Sequence, residues 1–154
     1  MHSKQKTWSK RTDASDEDFI DLVKLLDKEL GATYTESSDF YSQYNTLNDI
    51  KNVVLVYDGE NAIACGAIKE FKEDIMEIKR MFTRPEYRGQ GMAKMLLLEL
   101  ENWAKSLDYK QCILETGTLQ KAAIALYENS GYRMIPNYGQ YRGVETSICF
   151  LKSL

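Results

Sequence analysis

The spacing of apolar residues changes along the chain between the helical and the strand period, which predicts a mixed α/β fold. A weak strand is expected over residues 8–12. A helix should then begin after Ser15 as its N-cap and end at Gly31, because apolar residues recur between them at helical spacing. Residues 33–52 are polar and aromatic, and we interpret them as a loop with a short second helix.

Three strand-like runs occupy the middle of the chain. They cover residues 52–57, 62–71 and 75–83, and their apolar and β-branched residues are typical of buried strands. Asp58-Gly59, between the first two runs, is a strong signal for a hairpin turn. Strands that follow one another in this way predict an antiparallel meander.

Helices and strands alternate in the last third of the chain. A strand at residues 110–115 should run parallel to the strand before it, because a helix over residues 92–107 intervenes. A final helix over residues 120–130 precedes two strands, residues 132–135 and 145–151, which should pair with each other. The first of these helices has an apolar stripe that should face the sheet. The stripe consists of Met92, Leu96, Leu100, Trp103 and Leu107.

Length and charge narrow the class of protein. The 154 residues suit one α/β domain, residues 1–154, with a mixed central sheet and about four helices. The net charge of −3 gives no indication of binding to nucleic acid or to a membrane surface. No apolar run approaches the length of a membrane span and no signal peptide is evident, so we expect a cytoplasmic protein.

Histidine and cysteine usage restricts the chemistry. His2 is the single histidine, which excludes a Ser–His–Asp triad and argues against a metal site, so no metal is expected. Cys65, Cys112 and Cys149 lie in apolar runs without metal-ligand spacing, and we interpret them as buried thiols. Acid–base chemistry must therefore use Tyr, Glu, Asp, Lys, Cys or water.

A glycine-rich turn lies between the third strand-like run and the helix after it. It reads Arg-Gly-Gln-Gly-Met-Ala over residues 88–93. Such a turn directs unpaired backbone N–H groups and the positive end of the helix dipole at one point, which is a geometry that binds phosphate. Gly89 and Gly91 would let a diphosphate approach the backbone closely, and Arg88 would add a mobile positive charge.

The pattern Arg-x-x-Gly-x-Ala over residues 88–93 resembles the pyrophosphate loop of the GNAT superfamily, the acyl-CoA-dependent N-acyltransferases. Two further segments match that family in the expected order, Leu-Glu-Thr-Gly at residues 114–117 and Ala-Ile-Ala-Leu-Tyr-Glu-Asn-Ser-Gly-Tyr at residues 123–132. The resemblance covers about residues 50–154. It implies the GNAT fold, in which a parallel pair of strands splays apart to admit acetyl-CoA as cosubstrate.

The resemblance also implies which residues hold the cofactor. The end of the strand before the loop would offer unpaired backbone groups to the pantetheine arm, and one N–H there would polarise the thioester carbonyl. The loop and the first turn of its helix would hold the diphosphate. Gln120 stands where the family often has Asn, and its longer side chain can make the same hydrogen bonds. The implied residues are Met81, Phe82, Thr83, Arg88, Gly89, Gln90, Gly91, Met92, Ala93, Lys94 and Gln120.

Catalytic roles follow from the same resemblance. Tyr127 falls on the family's position for the general acid that protonates the departing thiolate. Glu77, on the strand that leads to the loop, and Glu115, at the end of the next strand, are alternative acceptors for the proton of the amine. Either carboxylate could instead attract the substrate's positive charge or be a solvated strand residue, and the sequence leaves these alternatives open.

The acceptor pocket would be built from the N-terminal helices and the last hairpin. Aromatic walls with carboxylates suit the primary amine of a small molecule, such as an amino acid or a polyamine. Two other functions stay open, a protein N-acetyltransferase and a non-catalytic acyl-CoA-binding sensor or interaction module. The oligomeric state is open as well, with a homodimer as one option. The pocket residues would be Tyr34, Tyr41, Tyr44, Tyr138 and Tyr141, with Glu36 and Asp39 nearby.

Overall fold

The structure, a computed structural model, describes residues 6–33 and 50–154. Seven strands and three α-helices form the described part of the chain. The strands are β1 (Thr7–Thr12), β2 (Asn52–Asp58), β3 (Asn61–Lys72), β4 (Ile75–Thr83), β5 (Gln111–Gly117), β6 (Arg133–Ile135) and β7 (Ser147–Ser153). The helices are α1 (Glu17–Thr33), α2 (Met92–Ser106) and α3 (Lys121–Asn129), with short 3-10 turns at Pro85–Tyr87 and Gly139–Tyr141.

The strands form one mixed sheet in the order β1-β2-β3-β4-β5-β7-β6. Strands β1 to β4 are an antiparallel meander, and β4 and β5 run parallel because α2 connects them. Strand β7 inserts between β5 and β6, so the predicted pairing of the last two strands is confirmed. The fold class predicted from the sequence, an α/β domain with a mixed central sheet, is confirmed.

The parallel pair separates after a short contact. As far as the described residues extend, β4 and β5 pair only through Ile75–Gln111, Met76–Cys112 and Glu77–Ile113. The remaining six residues of β4 therefore diverge from the end of β5, as the resemblance implied. This divergence opens a cleft between the two strands.

A β-bulge at Arg80 changes the side-chain pattern of β4. The register moves from Ala67–Lys79 to Cys65–Phe82, so β4 has one residue more than β3 here, and Arg80 has a φ of 59°. Side chains before the bulge alternate in the ordinary way, and those after it are shifted to the opposite face. Lys79 and Phe82 consequently point to the same side of the sheet.

Helices cover both faces of the sheet. Helices α2 and α3 pack on one face around a core that includes Leu96, Leu100 and Phe150, each 0% exposed. Helix α1 packs on the other face through Phe19 and Leu22. The apolar stripe predicted for α2 is buried at its centre, but Leu107 lies beyond the helix end and is 45% exposed.

The predicted limits of α1 are wrong at both ends. Asp16 rather than Ser15 caps the helix, because its Oδ1 accepts a hydrogen bond of 3.0 Å from the backbone N–H of Asp18. The helix continues through Gly31 to Thr33. The second short helix predicted within residues 33–52 falls almost wholly outside the described residues.

The three cysteines are buried free thiols, as predicted. Burial raises the pKa of Cys65 and of Cys112 to about 12, and that of Cys149 to about 11. The three thiols therefore stay protonated at neutral pH. Within residues 6–33 and 50–154, no helix is both long and apolar enough to cross a membrane.

Candidate functional site

A cavity of about 460 Å³ occupies the cleft between β4 and β5. Its walls come from the ends of these two strands, the first turns of α2 and α3, and the last half of α1. The structure therefore brings segments far apart in sequence to one place. Most of the predicted site residues line this cavity: Glu77, Met81, Phe82, Thr83, Arg88, Gly89, Gly91, Met92, Ala93, Lys94, Glu115, Gln120 and Tyr127.

The glycine-rich loop opens α2 in the geometry that the sequence predicts. Gly89 and Gly91 have φ values of 77° and 86°, which L side chains rarely adopt, and Gly91 is the N-cap residue. A Cβ added to either would meet nothing within 4 Å, so the space above the loop is open. No side chain caps the helix there, and its first N–H groups face this space.

Gln90 does not line the cavity, although it belongs to the loop. Its side chain is exposed and its Nε2 donates a hydrogen bond of 3.2 Å to the carbonyl of Glu86. Gln90 thus closes the turn from outside. Lys94 and Gln120 line the cavity from the first turn of α2 and from the N-cap position of α3.

Arg88 forms contacts with α1 and with the end of β4 that the sequence did not predict. Its guanidinium forms a bidentate ion pair with Glu29 of α1, with Nη1–Oε1 and Nη2–Oε2 distances of 2.8 Å and 2.9 Å. Its Nε donates to the carbonyl of Thr83 at 2.9 Å. The carboxylate of Glu29 therefore stands where a phosphate group would compete for Arg88.

Replacement of Glu29 by Gln is expected to tighten acetyl-CoA binding about two- to fivefold, the range of a partly exposed ion pair. The change removes a negative charge from the cavity wall and releases the guanidinium of Arg88 for a phosphate. Calorimetric titration at two salt concentrations measures the effect, which should shrink at the higher concentration. Weaker binding by the variant would instead show that Glu29 holds Arg88 in its binding position.

The open edge of β4 forms the floor of the cavity. Phe82 and Thr83 pair with β3 on their other side, opposite Cys65 and Ala64. The carbonyl of Thr83 accepts the hydrogen bond from Arg88, so the prediction that this group is unpaired is wrong. Backbone groups around Met81 lie beyond the last pair with β5 and form the edge that faces the cleft.

Tyr127 lies on α3 at the far wall of the cleft. It is 5% exposed, and its ring packs against Tyr132 and Phe150 with centroid distances of 5.7 Å and 6.0 Å. Burial, and then the charge of Glu115, raise the pKa of the Tyr127 phenol. The phenol therefore keeps its proton at neutral pH.

The two predicted carboxylates lie on the same face of the sheet. Glu77 is opposite Ile113 in the parallel pair, and Glu115 is two residues further along β5. Glu77 accepts a hydrogen bond of 2.5 Å from the hydroxyl of Tyr138. Glu115 accepts one of 2.7 Å from Ser147 and lies where the strands have already separated.

Two cations that line the cavity, Lys79 and Arg80, were not predicted as site residues from the sequence. Lys79 lines the cavity with a side chain only 7% exposed, and its Nζ lies 3.8 Å from Oε1 of Glu77. Arg80 donates to Asp27 of α1 at 2.6 Å. A signal for Lys79 was present, because Glu77 and Lys79 are charged residues two apart in a strand that is mostly apolar. The contribution of α1 through Leu26 and Leu30 had no such signal.

The predicted acceptor residues are only partly described. Tyr138 and Tyr141 are buried, 8% and 3% exposed, and Tyr141 lines the cavity. Tyr138 lies behind it and holds Glu77. The other members of the predicted pocket, Tyr34, Glu36, Asp39, Tyr41 and Tyr44, lie outside the described residues.

The chain is similar in sequence to known acetyltransferases. Residues 19–132 match the model of the Acetyltransferase (GNAT) family. The IAA acetyltransferase of Azospirillum brasilense is 33% identical over 125 residues, which are 79% of this chain and 81% of that protein.

Solved structures have the same fold over nearly the whole chain. A proposed acyl-CoA N-acyltransferase from Klebsiella pneumoniae has a TM-score of 0.79 at 29% identity, covering 97% of this chain and 98% of that one. A GNAT family acetyltransferase from Elizabethkingia anophelis with acetyl-CoA bound has a TM-score of 0.71 at 21% identity, over 98% and 100% of the two chains.

Proposed function

Because the chain belongs to the GNAT family of N-acetyltransferases, we propose that it transfers the acetyl group of acetyl-CoA directly to the primary amine of a small molecule. The observation that carries this proposal is the cavity in the cleft between β4 and β5. It joins a glycine-rich loop at a helix N-terminus, an open strand edge, a buried tyrosine and two carboxylates in one space of about 460 Å³.

The cofactor would enter along the cleft. Its diphosphate would accept hydrogen bonds from the N–H groups at the start of α2, where Ala93 and Lys94 line the cavity. The amides of its pantetheine arm would pair with the open edge of β4 near Met81. The thioester would then lie where the strands begin to part, near Glu77 and Ile113.

The reaction needs a neutral amine and a protonated thiolate. In the proposed mechanism Glu115 takes a proton from the ammonium of the acceptor, and the amine nitrogen attacks the thioester carbonyl. The C–S bond breaks, the thiolate receives the proton of Tyr127, and the phenolate takes up the proton that the nitrogen releases as it becomes the neutral amide. The products are the N-acetylated amine and free CoA. Glu115 is preferred over Glu77 because it lies beyond the paired segment and its charge acts on Tyr127.

The test is an assay of thiol release from acetyl-CoA with a panel of amines, amino acids and peptides. Release that depends on a small amine, together with its N-acetylated form in the mass spectrum, supports the proposal. Transfer to peptides or proteins but to no small amine would replace the small-molecule acceptor with a protein acceptor.

Glu115→Gln is expected to remove the acidic limb of the pH–rate profile, because the group that takes the amine proton is lost. Glu77→Gln should keep that limb, since Glu77 lies within the paired segment of β4 and β5. Profiles of kcat/KM for the wild type and both variants measure the difference. The roles are exchanged if only Glu77→Gln alters the limb, and wild-type profiles in both variants mean that water takes the proton.

A further inference from the structure

Resting on the function proposed above, we infer that the acceptor is an amine that also carries a carboxylate, and that Lys79 binds this carboxylate. The inference concerns the wall of the cavity formed by β4 and β5 on the α1 face of the sheet. Glu77, Lys79 and Glu115 share this face, since residues two apart in a strand point the same way and Glu77 lies opposite Ile113. Two carboxylates and one ammonium thus meet in one wall.

The ammonium of Lys79 is short of hydrogen-bond acceptors. Its side chain is 7% exposed, and the distance of 3.8 Å to Oε1 of Glu77 is too long for a hydrogen bond. Glu77 accepts its short hydrogen bond from Tyr138 instead, through Oε2. The nearest carboxylate is thus beyond hydrogen-bond distance, and Glu115 acts on the ammonium from farther away, so this buried cation gains from an anion in direct contact.

The direction of the pKa shift of Lys79 agrees with this geometry. Burial lowers the pKa of the ammonium, and Glu77 raises it by less than burial lowers it. A carboxylate from a ligand would raise the pKa again and stabilise the charged form. The site is therefore complementary to an anion.

A second cation next to Lys79, the guanidinium of Arg80, is only partly hydrogen-bonded. The Nε of Arg80 is the one buried side-chain nitrogen or oxygen without a hydrogen bond in the part of the chain that the structure describes. Arg80 lines the same cavity, and its Nη1 is bound to Asp27 at 2.6 Å. The charge of Arg80 acts on Lys79 and both residues line the cavity, so two cations lie along one wall.

Glu115 supplies the complementary charge across the cleft. A small molecule with an ammonium at Glu115 and a carboxylate at Lys79 would satisfy both walls at once. A simple amine would give Lys79 no anionic partner. A polyamine would bring a second ammonium towards Lys79 and Arg80, and the like charges would repel each other. The charges thus select an amino acid over an amine that has no anionic group.

The experiment compares acceptors that differ in the carboxylate alone. Leucine, leucinamide and 3-methylbutylamine form one set of probes, and phenylalanine, phenylalaninamide and phenethylamine form another. Initial rates are measured with saturating acetyl-CoA, and binding of each probe to the CoA-loaded protein is measured by calorimetry. The acids are expected to bind at least about tenfold more tightly than their neutral counterparts, as a charge-assisted hydrogen bond allows.

Lys79→Met should reduce the affinity and kcat/KM for the acids about tenfold, mainly through KM, and leave the neutral amines unchanged. Lys79→Arg should restore part of the preference, and Lys105→Met, an exposed lysine on α2, is the matched control. A thermal shift with acetyl-CoA shows that each variant is folded.

Equal binding of acids and amines, or equal losses for both in Lys79→Met, overturns the inference. So does loss of the acidic limb of the pH–rate profile in Lys79→Met, which would make Lys79 the base. If acids bind through Lys79 but no probe is acetylated, the carboxylate site stands and the proposed function fails.

Discussion

Tyr127→Phe is expected to lower kcat about a hundredfold, the usual contribution of a general acid, while the affinity for acetyl-CoA stays the same. The substitution removes only the hydroxyl. The ring stays between Tyr132 and Phe150, where its packing is apolar and aromatic. Single-turnover rates and calorimetric titration with acetyl-CoA measure the two quantities separately.

Tyr132→Phe is the matched control, because Tyr132 is another buried tyrosine of the same cluster. Its hydroxyl donates a hydrogen bond of 2.8 Å to Glu101, a buried carboxylate that also pairs with Lys152 at 2.9 Å. Loss of this hydroxyl is expected to cost stability, about 1–3 kcal/mol for a buried charged group left short of one partner. Turnover should stay near the wild-type value, since Tyr132 faces the core and does not line the cavity.

The two variants therefore distinguish a catalytic role of the Tyr127 hydroxyl from a role in packing. Unchanged kcat in Tyr127→Phe would assign Tyr127 to the core, and the thiolate would then take its proton from water. Equal losses of turnover in both variants would mean that the tyrosine cluster acts through the position of α3. Loss of acetyl-CoA binding in Tyr127→Phe would make the hydroxyl a cofactor contact.

The parts of the fold that could be predicted are those that depend on neighbouring residues. The limits of β4 are the predicted ones, because its apolar run lies between turn residues. The start of α2 was predicted as well, since Gly91 and the residues around it determine the turn locally. The N-cap of α1 was wrong by one residue because Ser15 and Asp16 are both good caps, and only the backbone geometry decides between them.

Features that depend on distant residues could not be predicted. The β-bulge at Arg80 changes which side chains of β4 face α1. No turn residue or proline in the sequence indicates this bulge. The ion pair between Arg88 and Glu29 joins residues 59 positions apart. Sequence spacing contains no information on such a contact, so this pairing of Arg88 was not predicted.

A further expected result concerns the glycine-rich loop over residues 88–93, where Ala93→Glu should abolish binding of acetyl-CoA. Ala93 is the second residue of α2 and lines the cavity. A carboxylate there would repel the diphosphate and compete with it for the same backbone N–H groups. In the wild type, acetyl-CoA at a hundredfold its Kd should add about 2.7 kcal/mol of stability, which corresponds to a rise in Tm of about 5–10 °C. In the variant this rise should disappear.

The same substitution should leave the unliganded protein as stable as the wild type, or more stable by about 0.3–1 kcal/mol, because a negative charge near a helix N-terminus is favourable. Ala93→Glu should weaken acetyl-CoA binding without lowering the stability of the unliganded protein. These two effects make it a sharper test than a substitution at Gly91, where the φ of 86° would strain any side chain. Thermal unfolding with and without acetyl-CoA gives both values from one preparation.

Ala93→Gln and Ala93→Lys complete the series, since the three side chains are of similar length and differ in charge. The expected order of Kd is Lys below Gln and Gln below Glu, and the differences should shrink as salt is added. Equal losses in all three variants would mean that room beside the loop, rather than charge, limits binding. A full thermal shift in Ala93→Glu would place the diphosphate away from the N-terminus of α2, and the assignment of this loop to the cofactor would then be wrong.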